Sequence, residues 1–105
     1  MTVKVVRKHL GEGDFPTFMK GTEVTMKDEC THFLNWYACN IEGYQTYVPD
    51  CFVSVGKLVR DYNPTELVQD VGDMLEVHGI VYAWLLAKNQ NNVTGWIPAE
   101  NVVSV

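Results

Sequence analysis

The residues of this chain that could bind a metal lie together in one short segment. Cys30 and His32 follow Asp28 and Glu29. A structural zinc site needs paired Cys or His ligands in two clusters, and this segment offers only one cluster. We therefore expect no metal and no cofactor.

Catalytic patterns are equally absent from the sequence. No His lies within a recognisable nucleophile motif, and there is no glycine-rich loop of the kind that holds phosphates. A β protein of this size rarely encloses a pocket that excludes water. These observations argue against an enzyme.

Charge and cysteine content restrict the class of partner and the compartment. The formal net charge is −5, and Lys and Arg form no cluster, which argues against nucleic acid and anionic membranes as partners. The three cysteines lack a paired spacing and indicate reduced thiols. No signal peptide or long apolar run is visible, so we expect a cytoplasmic protein.

The chain repeats itself after about fifty residues, which is the spacing of a small structural repeat. Tyr47 and Pro49 in the first copy correspond to Trp96 and Pro98 in the second. Further matches run backwards from these segments. They pair Trp36–Cys39 with Trp84–Ala87, Lys20–Met26 with Val71–Val77, and Lys4–Arg7 with Lys57–Arg60.

Each copy is predicted to be all-β, with about five short strands. Apolar residues alternate at Val24 and Met26 and again at Leu75 and Val77, the period of a half-buried strand. Segments rich in Asn and Gly suit tight hairpins. The early proline and central glycine of residues 63–75 argue against a helix there.

The two copies are expected to form domains at residues 1–54 and 57–105. Only Ser54–Lys57 would link them. Because each domain is close to the lower size limit for independent stability, we expect the two to pack together across this very short linker.

The second copy carries an opening Leu-Val-Arg-Asp-Tyr, a following Glu-Leu, a Gly-Asp before a strand, a Trp with a core Ala, and a closing Gly-Trp-Ile-Pro. With these motifs it resembles a Src-homology-3 (SH3) domain over nearly its whole length. The first copy is more divergent and is similar to bacterial tandem SH3-like proteins. The resemblance implies two small five-stranded SH3-like barrels in tandem.

The resemblance also implies a groove for an extended peptide, formed by aromatic rings beside an acidic loop. The second copy keeps Tyr62, Trp84 and Pro98, and Glu66 supplies acidity. Arg60 and Asn101 each replace a tyrosine of the family pattern, which argues against ordinary Pro-rich recognition by this copy.

The first copy keeps Trp36, Pro49 and Phe52 at the corresponding positions. Arg7 and His9 stand where the family has tyrosines. Because Arg7 and Arg60 occupy the same position of the two copies, they indicate either a different ligand chemistry or a structural role, and a guanidinium can stack on an aromatic ring in both cases.

Packing is the alternative interpretation for these rings, since aromatics supply much of the buried area of any core. The prolines could serve only to begin a turn. Cys39 aligns with Ala87 and should be a small core residue.

The sequence therefore predicts a non-enzymatic module that binds a protein or peptide segment. Its expected surface is the Trp36–Pro49–Phe52 face, with help from Trp84 and Tyr62. A structural protein that uses its aromatic faces to form a homo-oligomer is the alternative. Binding of cell-wall glycan is a third reading, and it would require export.

Overall fold

The computed structural model describes residues 1–11 and 13–105 and shows an all-β chain. The described residues form ten strands and two 3₁₀ helices. In chain order the elements are β1 (Thr2–Val5), β2 (Thr25–Glu29), β3 (Trp36–Ile41), β4 (Tyr44–Pro49), η1 (Asp50–Phe52), β5 (Val53–Ser54), β6 (Lys57–Leu58), β7 (Met74–Val81), β8 (Trp84–Lys88), β9 (Thr94–Pro98), η2 (Ala99–Asn101) and β10 (Val102–Ser104). Five strands fall in each sequence copy, as predicted, and none of the described residues between 64 and 77 is helical.

The chain divides into two compact units that do not follow the sequence copies. Unit 1 consists of Met1–Asp14 and Thr65–Val105, and unit 2 consists of Phe15–Pro64. Unit 2 is therefore inserted into the chain of unit 1.

Unit 1 is built on one antiparallel sheet with the strand order β10-β1-β7-β8-β9. One face of the sheet carries apolar residues at alternate positions of each strand, as the period of two requires. Together with Leu67, from the segment before β7, these residues form one buried cluster of Val3, Val5, Leu75, Leu85, Ala87 and Ile97. Strands β10 and β9 lie at the two ends of the strand order, so the strand pairing does not close into a barrel.

Unit 2 contains a three-stranded meander, β2-β3-β4, and a separate two-stranded hairpin, β5-β6. Strands β3 and β4 turn tightly at Glu42 and Gly43, whose φ angles are 51° and 86°. Val55 and Gly56 turn the β5-β6 hairpin with φ angles of 50° and 73°. Two residues with positive φ make the turn whose twist suits a two-residue hairpin.

The expected linker is therefore a hairpin turn inside one unit. Val53 pairs with Leu58, and Ser54 pairs with Lys57. The expected domains, 1–54 and 57–105, differ from the compact units for the same reason. The chain instead passes from one unit to the other after Asp14 and after Pro64.

The two units share a pattern of backbone hydrogen bonds around their leading strands. In unit 1, Val5 donates to the Asp73 carbonyl at 2.9 Å and accepts from the Gly72 amide at 2.8 Å. In unit 2, Leu58 donates to the Thr22 carbonyl at 2.9 Å, and its own carbonyl accepts from Gly21 at 2.8 Å.

The same equivalence extends along the segment that follows each leading strand. His9 bridges to Gln69 in unit 1, and Tyr62 bridges to Phe18 in unit 2. In the sequence repeat, Lys4–Arg7 corresponds to Lys57–Arg60. Each unit has thus taken its leading strand from the other sequence copy, so the leading strands are exchanged within one chain.

Candidate functional site

The exchange decides which of the predicted site residues share a unit. Unit 1 holds one set and unit 2 the other. The unit 1 residues are Arg7, His9, Glu66, Trp84 and Pro98, and the unit 2 residues are Trp36, Pro49, Phe52, Arg60 and Tyr62. Tyr62 therefore shares a unit with the predicted Trp36–Pro49–Phe52 face, whereas Trp84 belongs to the other unit.

A tryptophan faces a proline across two neighbouring strands in both units. Trp84 on β8 pairs in register with Pro98 on β9. Trp36 on β3 pairs with Pro49 on β4 in the same way. The proline ends the strand and leads into a 3₁₀ helix in each case, as expected of a residue without a backbone donor.

In unit 1 the Trp84 ring is contacted by His9. The two ring centroids lie 5.8 Å apart with an interplanar angle of 75°, an edge-to-face arrangement. Trp84 is only partly buried, while Pro98 is buried. Trp84 thus combines a fixed position with surface that a ligand can reach.

Glu66 holds the His9 ring in place. His9 Nε2 lies 2.9 Å from Glu66 Oε1. The two side chains are only 16% and 14% exposed, so the pair is shielded from water. A hydrogen bond to a carboxylate is stronger in such an environment than at a fully exposed site.

The backbone that precedes His9 is fixed by Asn101 of η2. Its side-chain amide donates to the carbonyls of Arg7 at 3.2 Å and Lys8 at 3.3 Å. Its own carbonyl accepts from the amides of Val6 and Arg7. Asn101 stands where the SH3 pattern that the second copy resembles has a tyrosine, and these hydrogen bonds give it a structural role instead.

A polar network supports the segment around Gln69, which pairs with His9 through an isolated β-bridge. Gln69 donates through Nε2 to Asp73 Oδ2 at 2.8 Å and accepts from Asn89 Nδ2 at 2.8 Å. Sequence reasoning missed Gln69 and Asn89, for which only the Gly-Asp before β7 gave a signal, because it marked the turn that places Asp73. Asn101 was noted only as a departure from the closing motif, without a role.

In unit 2 the aromatic residues pack on one another. Tyr62 donates through its hydroxyl to the Tyr47 carbonyl at 2.6 Å, and its ring lies edge-to-face with Phe52 at 5.5 Å. The Arg60 guanidinium carbon lies 4.7 Å from the centroid of the Phe52 ring. Arg60 therefore stacks on an aromatic ring of its own unit, a cation–π contact.

Burial separates the two surfaces. Trp36, Phe52 and Tyr62 are 4%, 6% and 3% exposed, and Pro49 is fully buried. The Trp36–Pro49–Phe52 face, which the sequence favoured as the binding surface, is therefore closed to a ligand. These side chains pack in the interior of unit 2, a property that strand spacing alone does not reveal.

The cysteines differ in environment. Cys39 is 1% exposed on β3, which confirms the predicted core position, and burial raises the pKa of its thiol to about 11. Burial and the neighbouring Glu29 raise the pKa of Cys30, while Cys51 is exposed. Among the described residues, no three His, Cys, Asp or Glu side chains are grouped so as to hold a metal ion.

Comparison with known proteins gives no match: no family model, no curated protein and no solved structure matches the chain. The function of the chain must therefore be inferred from the geometry of the two units. In the described ranges, 1–11 and 13–105, no helix has the length and apolar character needed to cross a membrane.

Proposed function

We propose that this chain is a non-enzymatic binding protein of two SH3-like modules that recognises an extended segment of another protein. The binding surface belongs to unit 1 and consists of Trp84 with His9 and Glu66. The observation that carries the proposal is the partial exposure of Trp84, set against the burial of its counterpart Trp36.

The common construction of the units supports the SH3-like assignment. Each has a three-stranded meander that ends in a proline, a 3₁₀ helix, and a short strand that pairs with the leading strand. The SH3-like opening and closing motifs fall at equivalent places in these elements.

The chemistry of the surface indicates the type of segment. A flat indole ring suits proline or aliphatic side chains of an extended chain, which lose few conformations on binding. Glu66 contacts His9, which packs against the ring, and Asp70 directly follows Gln69, the residue that bridges to His9. A basic residue of the bound segment would therefore be attracted to this end of the surface.

Peptide titration followed by amide shifts and Trp fluorescence tests the proposal. A bound peptide should shift the amides of residues 8–10, 66–70 and 84–86. Trp84→Ala should weaken binding about tenfold or more, since a central aromatic carries much of the energy of such a contact.

Tyr82→Ala provides the control, because Tyr82 is 45% exposed on the turn that precedes Trp84. This variant should bind as the wild type does. Amide shifts confined to residues 15–64, or equal affinity of the two variants, would show that the surface is elsewhere.

Self-association through unit 1 is the second candidate function. Leu10, Val68 and Val71 are 68%, 65% and 64% exposed on the segments that bridge at His9 and Gln69. Apolar side chains gathered in this way are typical of interfaces. Light scattering at several concentrations tests it, because a chain that stays monomeric throughout excludes this use of the surface.

A further inference from the structure

The strand exchange makes the two halves of the chain complementary. Strand β1 lies in the first half, yet both of its partners, β7 and β10, lie in the second. Strand β6 lies in the second half, yet it pairs with β5 of the first. Neither half, 1–54 or 57–105, contains all the strands of one unit.

Only the Val55–Gly56 turn joins these halves. The crossings between units after Asp14 and after Pro64 each lie within one half. Opening the turn would therefore break no connection between the units. It would change only whether the strands of one half pair with the other half of the same chain or with that half of a second chain.

The turn itself is strained at Val55. Its φ is 50°, in the left-handed region, and its side chain is 97% exposed. A β-branched residue pays a steric cost in that region and here receives no compensating burial. The hairpin held by this turn contains only two residue pairs.

We propose that the Val55–Gly56 turn is a hinge at which two copies of this chain exchange halves. In the resulting dimer, residues 1–54 of each copy pair with residues 57–105 of the other. The strand pairs of both units are kept. Val55 is released into an extended conformation in both copies, and the hydrogen bond from the Val24 amide to the Gly56 carbonyl at the turn is given up. The Trp84 surface would then be shared, with His9 from one copy and Glu66 and Trp84 from the other.

The core of unit 1 indicates why a second copy is the partner. Val3 and Val5 are 3% and 0% exposed, and they pack in one cluster with Leu75 and Ile97 of the other half. An identical half is the only surface that fits this cluster without repacking. Close-packed cores discriminate strongly against other shapes.

Variants of the hinge test the proposal by size-exclusion chromatography with light scattering, after refolding at increasing protein concentration. Val55→Asn relieves the left-handed strain and should weaken dimerisation about tenfold or more, since Asn tolerates that conformation. Gly56→Val disfavours the turn and should increase the dimer fraction. The proposal is overturned if the wild type, Val55→Asn and Gly56→Val all fold and all stay monomeric.

A disulfide test identifies which strands pair in the dimer. Val77 donates to the Met1 carbonyl at 2.8 Å, so the next pair, Thr2 and Glu76, is a non-hydrogen-bonded pair with close Cα atoms. Thr2→Cys in one chain and Glu76→Cys in another should therefore form a covalent heterodimer after the two are refolded together. Cys30→Ser and Cys51→Ser remove the accessible native thiols from both chains.

Thr2→Cys mixed with Val93→Cys is the matched control, because Val93 is exposed in the β8-β9 turn and does not pair with β1. This mixture should not cross-link. Dimers that form without the Thr2–Glu76 cross-link would arise from surface association and would overturn the exchange. The cross-linking test uses the native hinge, so it decides the question even if Gly56→Val does not fold.

Discussion

At the scale of single residues, the backbone at Gly95 packs closely against the Thr65–Leu67 segment in unit 1. A Cβ atom at this position would lie 2.9 Å from the Thr65 carbonyl oxygen and 3.2 Å from Leu67 Cγ. A contact this short with backbone cannot be relieved by rotating a side chain. The absence of a side chain at Gly95 is therefore a packing requirement of β9.

Gly95→Ala should accordingly lower the free energy of unfolding by about 1–3 kcal/mol, the usual cost of overpacking. The measurement is urea denaturation followed by circular dichroism. Gly79→Ala on β7 is the control, since nothing lies within 4 Å of its Cβ position. Equal stability of the two variants would contradict the contact at Gly95.

Cys39 should give the protein a specific sensitivity to alkaline pH. Burial raises the pKa of its thiol from 9.0 to about 11, whereas the unfolded thiol titrates near 9. The unfolded chain therefore loses this proton first as the pH rises. The stability contributed by the buried neutral thiol is fully present below pH 9 and is lost as the pH rises toward 11, an effect of about 1–3 kcal/mol.

Cys39→Ala should remove this part of the pH dependence, since Ala87 occupies the corresponding core position. The measurement is the urea midpoint between pH 8 and pH 11. Cys51→Ala, at an exposed thiol, should keep the wild-type profile. An identical profile for Cys39→Ala and the wild type would refute the assignment.

Single residues also show which features could be predicted from the sequence and which could not. Alignment with Ala87 was enough to predict that Cys39 is buried, because core positions of a repeat share size and polarity. The sequence left open whether Arg60 binds a ligand or has a structural role, and it gave no role for Asn101. Phe52, the partner of Arg60, lies across the β5-β6 hairpin, whereas the Arg7 carbonyl that accepts from Asn101 is remote in sequence and is brought close only by the fold.

At the scale of elements, η2 follows β9 in the chain and is hydrogen-bonded to the segment that carries His9. Asn101 is 8% exposed, and its amide satisfies two backbone carbonyls of that segment. Buried carbonyls that lose a donor cost free energy because water cannot replace it.

Asn101→Ala should therefore destabilise the protein by about 1–3 kcal/mol. It should also speed hydrogen exchange of the Val6 and Arg7 amides, which donate to the Asn101 carbonyl. Asn91→Ala, at an exposed asparagine in the β8-β9 turn, should change neither quantity. Unchanged amide protection in Asn101→Ala would show that η2 does not fix the His9 segment.

Strands and hairpins were predictable because their signals are local. The alternation of Leu75 and Val77 lies within β7, and Glu42–Gly43 forms the turn expected of a glycine-bearing hairpin. The expectation that Ser54–Lys57 is a linker was wrong, because this segment forms the turn of the β5-β6 hairpin. Its Val55 is unfavourable in a turn, so the segment resembles an extended linker.

At the scale of the whole molecule, the sequence repeat shows which segments are equivalent but not which copy each segment joins. The leading strands carry nearly the same residues, Lys-Val-Val-Arg and Lys-Leu-Val-Arg. Either strand can therefore satisfy the same backbone groups and fill the same core position. Pairing within a copy and pairing between copies differ only in connectivity, which local patterns do not encode.

The exchange also explains how the candidate binding residues are distributed between the units. His9 belongs to the first sequence copy, and Trp84 belongs to the second, yet both lie in unit 1. The copy-by-copy interpretation placed Trp36 with His9 and Trp84 with Tyr62. The structure reverses both associations, so the surface that remains accessible is the one around Trp84.

The most direct test of the exchanged leading strands is a nuclear Overhauser measurement between backbone protons of the full chain. The register places Thr2 opposite Glu76 and Val3 opposite Ser104. A strong contact between the Hα protons of Thr2 and Glu76 is the expected result, because these atoms approach closely in a non-hydrogen-bonded antiparallel pair. Contacts from Thr2–Val5 to the segment around Gly21 and Thr22, with none to β7, would show that each copy keeps its own leading strand and would contradict the account.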